Sequence, residues 1–380
     1  MTHSSTVHDS NTASDLLYSD TEEALRESVR GLFAGRLSPQ TLNAAYDDAS
    51  TDFSSLWKTL AAELGVAGLL IAEDLGGAGA SEREAAVVME EIGRAVAPVP
   101  FLSSAILATV ALTRVGDTAT LGRLADGSET AVLAVSFATD TASAGFEGVE
   151  ARDGVLTGRV TSVAGGTEAT TLVVPATRDG RPALYVVDAT APGVTLTPVP
   201  ALDMTRPLVD VDLSGAVPSR EYVDGASESV RAALLTGVAL LASEQVGIAQ
   251  WCLETTVAYV KDRKQFGRAI GSFQAIKHRL ADLWLQVSSA NAAARYAADT
   301  AARGDADAEI AARIAGAYCG DVAVKAAEEC IQLHGGIGMT WEYPAHLYLK
   351  RAKSAQLALG TGYAHRARLA ELVDLTVTAG

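Results

Sequence analysis

Apolar residues change their spacing twice along this chain. Across residues 21–33 they recur at helical intervals, and 53–64 repeats that period through Trp57, Leu60 and Leu64 before Gly65 signals a stop. Residues 70–80, LIAEDLGGAGA, read as a loop. Ser81 opens the next helix, and Glu84 completes a capping box that satisfies the first free N–H groups. That helix runs through Val87, Val88 and Ile92 towards Pro98, and 101–115 and 118–125 read as two more.

The period then shortens. Residues 131–137, 170–176, 183–189, 193–199 and 208–214 are brief runs rich in Val, Leu and Thr, punctuated by the hairpin dipeptides Asp153-Gly154 and Asp179-Gly180. Seven of the eleven prolines lie between Pro175 and Pro218, and none falls in 40–97 or 219–343. Helix interiors exclude proline whereas strand edges and turns accept it, so two helical blocks flank a β region. After it, 226–261, 273–303 and 305–334 are long Ala- and Leu-rich segments of helical period, followed by shorter helices after Pro344 and near Gly362. The pattern predicts an α+β multidomain chain. It comprises a disordered N-terminus (1–18), an N-terminal α-helical domain (19–126), a middle antiparallel β-barrel or sandwich domain (127–222) and a C-terminal long-helix bundle (223–380).

Charge narrows the partners. The net charge is −16, but residues 226–380 carry 16 Lys+Arg against 15 Asp+Glu while the first 225 carry 14 against 31. The acidic bulk excludes nucleic acid and anionic membrane as partners. No apolar run reads as a membrane span, and the first residues lack the basic-then-apolar order of a signal peptide. Cys252, Cys319 and Cys330, with no CxxC, point to a reducing compartment; a cytoplasmic location is expected. No His/Cys/Asp/Glu pattern predicts a metal.

The densest chemistry lies in 258–282. Lys261, Arg263, Lys264 and Arg268 surround Phe266-Gly267, with Gly271, Phe273 and Gln274 beyond. A helix that breaks at Phe-Gly and restarts after Gly271 gathers cations and backbone donors suited to a phosphorylated ligand. The same residues also read as a solvated basic corner.

This corner and two further stretches carry a resemblance. DRKQFGRAIGSFQAIKHRLAD (262–282), QLHGGIGMTWEYP (332–344) and KRAKSAQLALGTG (350–362), with the weaker AAELGVAGLLIAEDLGGAGAS (61–81) and MEEIGRAVA (89–97), resemble the acyl-CoA dehydrogenase family. The resemblance covers about 20–375. It implies FAD as cofactor and α,β-dehydrogenation of an acyl-CoA thioester, with a carboxylate removing the α-proton. It further implies that Arg263, Gln265, Phe266, Gln274, Gln332, Gly335 and Gly336 contact an FAD held by a neighbouring subunit. Thr361, in the stretch aligned with the family's YEGT, carries over as a further cofactor contact.

The flavin-ring side departs from the family. Residues 136–148, SFATDTASAGFEG, do not match its "TEP–GSD" segment, and Ser162 and Ala164 stand where an aromatic and a threonine are usual. The family base falls on Leu359, and its alternative position on Gly237. Neither titrates. The resemblance therefore points to the non-base-bearing subunit of an actinobacterial α2β2 acyl-CoA dehydrogenase active in lipid or steroid side-chain β-oxidation. A related base-bearing subunit would be its partner and acyl-CoA the substrate. The alternatives are a homomeric flavoenzyme with a relocated base, Glu244 being a candidate although an exposed or interface position is expected for it, and a non-catalytic acyl-CoA or partner-binding member.

Overall fold

The computed structural model describes residues 16–48, 51–141 and 145–375. Six helices come first: α1 (Asp20–Arg36), α2 (Pro39–Asp47), α3 (Ser54–Lys58), α4 (Glu82–Ala95), α5 (Thr109–Val115) and α6 (Thr118–Ala125). The helix read at 53–64 is α3 prolonged by a π-helical turn, Thr59–Glu63, and ended by Gly65 at φ 68°. The one read at 101–115 starts as the π-helical Phe101–Ala108 before α5. The capping box at Ser81 forms, its N–H donating to the Glu84 carboxylate at 3.0 Å.

The expectation that 1–18 is disordered is corrected at its end; residues 1–15 lie outside the described residues. The Tyr18 ring has the guanidinium carbons of Arg26 and Arg295 each 4.0 Å from its centroid, and its hydroxyl donates to Glu90 at 2.7 Å. Cation–π attraction and a charged acceptor hold this residue against α1 and α4.

Eight strands follow: β1 (Ala131–Leu133), β2 (Val149–Arg152), β3 (Val155–Ala164), β4 (Thr171–Arg178), β5 (Arg181–Asp188), β6 (Val194–Val199), β7 (Leu208–Ala216) and β8 (Arg220–Tyr222). They form one sheet in the order β6-β7-β3-β2-β4-β5-β8, with β1 beside β4. The sheet is mixed, which corrects the purely antiparallel expectation: β1 and β2 both run parallel to β4. Turn dipeptides report only strands adjacent in sequence, and both predicted hairpins close as read, Arg152 pairing with Val155 and Arg178 with Arg181. Parallel pairs need a longer crossover, on which local signals are silent. Strand β1 is also shorter than the run read at 131–137, so Phe137 leaves the ladder.

The last block holds α7 (Ala226–Asp262), the hairpin β9 (Lys264–Gln265) with β10 (Arg268–Ala269), α8 (Gln274–Arg303), α9 (Ala308–His334), α10 (Ala345–Leu357) and α11 (Gly362–Leu372). By length and composition α7 could cross a membrane, contrary to the sequence reading, yet 83% of its apolar window is buried inside the protein. At 1.5 Å per residue it is ~55 Å long and forms the axis of the bundle. It crosses α4 at two glycines. A Cβ on Gly93 would meet the Glu244 carbonyl oxygen at 2.0 Å, and one on Gly247 the Glu90 carbonyl oxygen at 1.9 Å. The two backbones therefore touch, and one continuous apolar core joins the N-terminal helices to the bundle.

Candidate functional site

The basic corner is a hairpin, not a helix broken at Phe-Gly. Helix α7 ends at Asp262, Phe266 and Gly267 turn at φ 55° and 78°, and α8 begins at Gln274. The early stop follows from Arg263, whose extended conformation (φ −67°, ψ 119°) leaves the helical region. Lys264 and Gln265 then pair with Ala269 and Arg268. Phe266 is 90% exposed, a position for a large aromatic that solvation alone does not favour. Its ring meets Phe273 edge-on at 6.1 Å, and Arg268 stacks on Phe273 at 4.0 Å. Among the described residues Arg263, Lys264 and Arg268 form no ion pair with a carboxylate.

The structure brings the Gln332–Gly336 turn to this same end of the bundle. Tyr259, in the last turn of α7, stacks on His334 at 4.2 Å, and its hydroxyl donates to the His334 carbonyl at 3.4 Å. His334 Nδ1 lies 2.6 Å from the Cys330 carbonyl and Nε2 lies 2.6 Å from the Tyr343 hydroxyl. The carbonyl can only accept, so Nδ1 carries the proton and Nε2 accepts from Tyr343. Gln332, Gly335 and Gly336 are exposed beyond this buried clamp, and a Cβ on Gly335 or Gly336 would meet nothing within 4 Å. Tyr259, His334 and Tyr343 thus position the turn; sequence reasoning missed them because their partners come from different helices.

Thr361 is not part of this group. It is the N-cap of α11, its hydroxyl accepting from the Ala364 N–H at 3.3 Å. Its neighbour Gly362 packs on the Ala317 carbonyl, fifteen residues and hence ~22 Å along α9 from Gln332.

The other side of the predicted site is closed by direct contact. Leu359, at φ 54° and fully buried, donates its N–H to the Phe137 carbonyl at 2.8 Å, and the Phe137 N–H donates to the Ser162 carbonyl at 2.9 Å. Ser162 occupies a bulge in β3 at φ 57°. Gly237 lies against the same spot: a Cβ there would stand 2.9 Å from Leu359 Cδ1 and 2.5 Å from Leu107 Cδ2. The two positions where a base is usual are therefore neighbours in space, and both are filled by hydrocarbon. Ser162 and Ala164 offer no stacking surface, and the nearby backbone groups are paired with each other. These residues do not fit a flavin ring, whereas the exposed cations of the corner fit a pyrophosphate.

Glu244 is corrected outright. It is fully buried, not exposed or at an interface. Arg351 Nε donates to its Oε1 at 2.8 Å and Arg206 donates to its Oε2. Burial alone would raise its pKa, but the two guanidinium groups outweigh burial and hold it below the usual carboxylate range. Arg206 continues to Phe137, its guanidinium carbon 5.0 Å from the ring centroid, and borders a narrow cavity with Leu107, Phe137 and Ala164. Nothing local marks this cluster in the sequence, since its members lie in the loop before β7, in α7 and in α10.

A second clamp holds the segment after Phe137. Arg313 of α9 is fully buried and reaches Asp140 Oδ1 at 3.4 Å, the Thr141 hydroxyl, and His365 Nδ1 at 3.2 Å. Burial, then the Arg313 charge, lowers the His365 pKa to about 4. Residues 142–144 of the expected flavin segment lie outside the described residues.

Known proteins place this architecture. Family models for the acyl-CoA dehydrogenase N-terminal and C-terminal domains match residues 19–124 and 228–373. The acyl-CoA dehydrogenase IpdE2 of Mycolicibacterium smegmatis is 35% identical over 344 residues, spanning 90% of this chain and 95% of that protein. Among solved structures, the ChsE4-ChsE5 complex from Mycobacterium tuberculosis superposes with a TM-score of 0.86 at 27% identity, over 96% of this chain and 100% of the other. A variant of the Tcur3481-Tcur3483 steroid ACAD gives 0.82 at 28% identity, over 93% and 98%. With both family domains matched and the fold reproduced end to end, the chain belongs to the acyl-CoA dehydrogenase family.

Proposed function

We propose that this chain is the subunit without a catalytic base in a hetero-oligomeric, FAD-dependent acyl-CoA dehydrogenase. A related, base-bearing subunit is its partner. Arg263, Gln265, Phe266, Gln274, Gln332, Gly335 and Gly336 reach the adenosine and pyrophosphate half of the FAD held there. FAD, when bound, accepts the hydride from the β-carbon of the acyl-CoA.

The observation that carries this reading is the asymmetry of the two half-sites. The exposed hairpin has cations with no carboxylate partner among the described residues and an aromatic at 90% exposure, while both base positions are packed with leucine side chains. Arginine supplies a rigid fork for phosphate oxygens, and bare glycine backbone allows close approach. Among the described residues the ring side offers nothing comparable, so proton abstraction falls to the partner. The names of two structural relatives, a ChsE4-ChsE5 complex and a steroid ACAD, support a two-component assembly acting on a steroid-derived acyl-CoA. Glu244 does not serve as a relocated base, since both its oxygens are held by buried arginines.

The test is purification of the chain alone and together with a base-bearing relative. Stoichiometric flavin and acyl-CoA oxidation are expected only in the co-purified assembly. Stoichiometric FAD with turnover in the chain alone would overturn the proposal.

A further inference from the structure

On α10, His346 and Lys350 are four residues apart and so share one helix face. Lys350 Nζ lies 3.3 Å from His346 Nδ1, and it stands 3.9 Å from the Tyr46 ring centroid and 4.3 Å from that of Trp341. Tyr46 comes from α2 and Trp341 from the turn before α10. Asn43, one turn before Tyr46, fastens the arrangement by donating to the Trp341 carbonyl at 3.0 Å. His346 itself packs edge-on to Trp341 at 4.6 Å. With the amine donating in this contact, His346 Nδ1 accepts and the imidazole proton resides on Nε2, which is buried with no hydrogen-bond partner among the described residues.

This arrangement differs from a solvated surface lysine such as Lys58 or Lys325. Two aromatic rings strip water from the amine, and an imidazole nitrogen is aimed at it within hydrogen-bond reach. That is the layout of a nucleophile with its base. Burial lowers the Lys350 pKa, against the opposing pull of Asp203. Burial and then the Lys350 charge lower that of His346. Both shifts favour the neutral amine and the neutral imidazole, against the cation–π attraction of the two rings for the charged amine. Trp341 is 60% exposed, so the cluster opens to solvent on one side.

We propose that Lys350 is an acylation site, its ε-amine taking the acyl group from an acyl-CoA thioester. The C–N bond forms as the C–S bond breaks. The amine proton passes to His346 Nδ1, coenzyme A leaves as the thiolate, and that thiolate recovers the proton from the imidazolium through solvent. The step involves no change of oxidation state and no co-reactant beyond the thioester, the substrate class of the family. It does not depend on the subunit arrangement proposed above. The product amide is neutral, which removes the cation from between Tyr46 and Trp341.

The test uses the full chain and acetyl-CoA, followed by peptide mass spectrometry. Lys350 is expected to acetylate at least about tenfold faster than Lys58 and Lys325, a threshold set below the ~10²–10⁴-fold gain typical of a positioned base. His346→Gln should bring Lys350 down to the rate of those exposed lysines while leaving them unchanged, and Lys350→Arg should remove this site alone. A Lys350 rate in the unmodified protein at or below that of Lys58 overturns the proposal without recourse to any variant. So does an unchanged Lys350 rate in a folded His346→Gln protein.

Discussion

The backbone N–H of Leu359 donates to the carbonyl oxygen of Phe137 at 2.8 Å. This bond joins the loop before α11 to the segment after β1, the two stretches between which the family's base and flavin ring would face each other. Leu107 and Gly237 pack against the same leucine, so a side chain alone cannot reopen the space.

Leu359→Glu should therefore fail to confer dehydrogenation on the chain by itself. The new carboxyl would be buried among Leu107 and Gly237 without a partner, at a cost of roughly 2–4 kcal/mol. The urea midpoint should fall accordingly, and flavin bleaching by acyl-CoA should remain absent from the isolated chain. Bleaching in that variant alone would contradict the closed geometry.

Arg263→Ala and Phe266→Ala should act on the assembly and not on the fold. Both residues are exposed, so the stability of the chain should change by no more than about 0.5 kcal/mol. Flavin absorbance of the co-purified complex after gel filtration should drop in both variants. Full flavin retention would show that the hairpin is not an FAD contact.

Glu244→Gln removes a carboxylate that is hydrogen-bonded to both Arg206 and Arg351. It leaves two guanidinium groups buried, with the Asp203 carboxylate 3.7 Å from Arg351. Breaking a buried pair from one side costs about 3–5 kcal/mol, because the remaining charge stays desolvated. A denaturation midpoint close to that of the parent would mean that the cluster is not a stability element.

Acid should weaken the fold in two stages. His365 is held neutral down to about 4 in the folded chain, whereas an unfolded histidine titrates near ~6.5. Between these values the unfolded chain binds the extra proton, so this contribution is complete above pH ~6.5 and lost as pH falls towards 4. Glu22 enters next. Burial raises its pKa, but Arg83, the Ser19 N–H and Arg295 together bring it to about 2. Its contribution is complete above the unfolded value of ~4.3 and is lost as pH falls through about 2. Stability measured against pH should flatten between 6.5 and 4 in His365→Asn and keep its second drop. An unchanged slope in that window would exclude His365 as its source.

Much of the architecture was legible in the pattern of residues. Helical spacing at 21–33 and 226–261 located α1 and α7, and Asp153-Gly154 and Asp179-Gly180 located two hairpins to the residue. These signals are local, so they survive reading one window at a time. The parallel neighbours of β4, the hairpin at Lys264–Gln265 and the docking of Tyr18 were not legible, because each depends on a partner distant in the chain or on a single backbone angle.

The same division holds for the site. By itself the sequence determined that no titratable group stands at Leu359 or Gly237 and that cations cluster around Phe266, since residue type alone decides both. Only the tertiary structure decided that Gly237 and Leu359 touch, that Tyr259 and His334 tie the glycine turn to the cationic hairpin, and that Glu244 is a buried ion-pair partner. Whether a carboxylate is a base, an interface charge or a structural anchor depends on what surrounds it. For Glu244 those surroundings, Arg206 and Arg351, come from separate elements that only folding brings within hydrogen-bond distance.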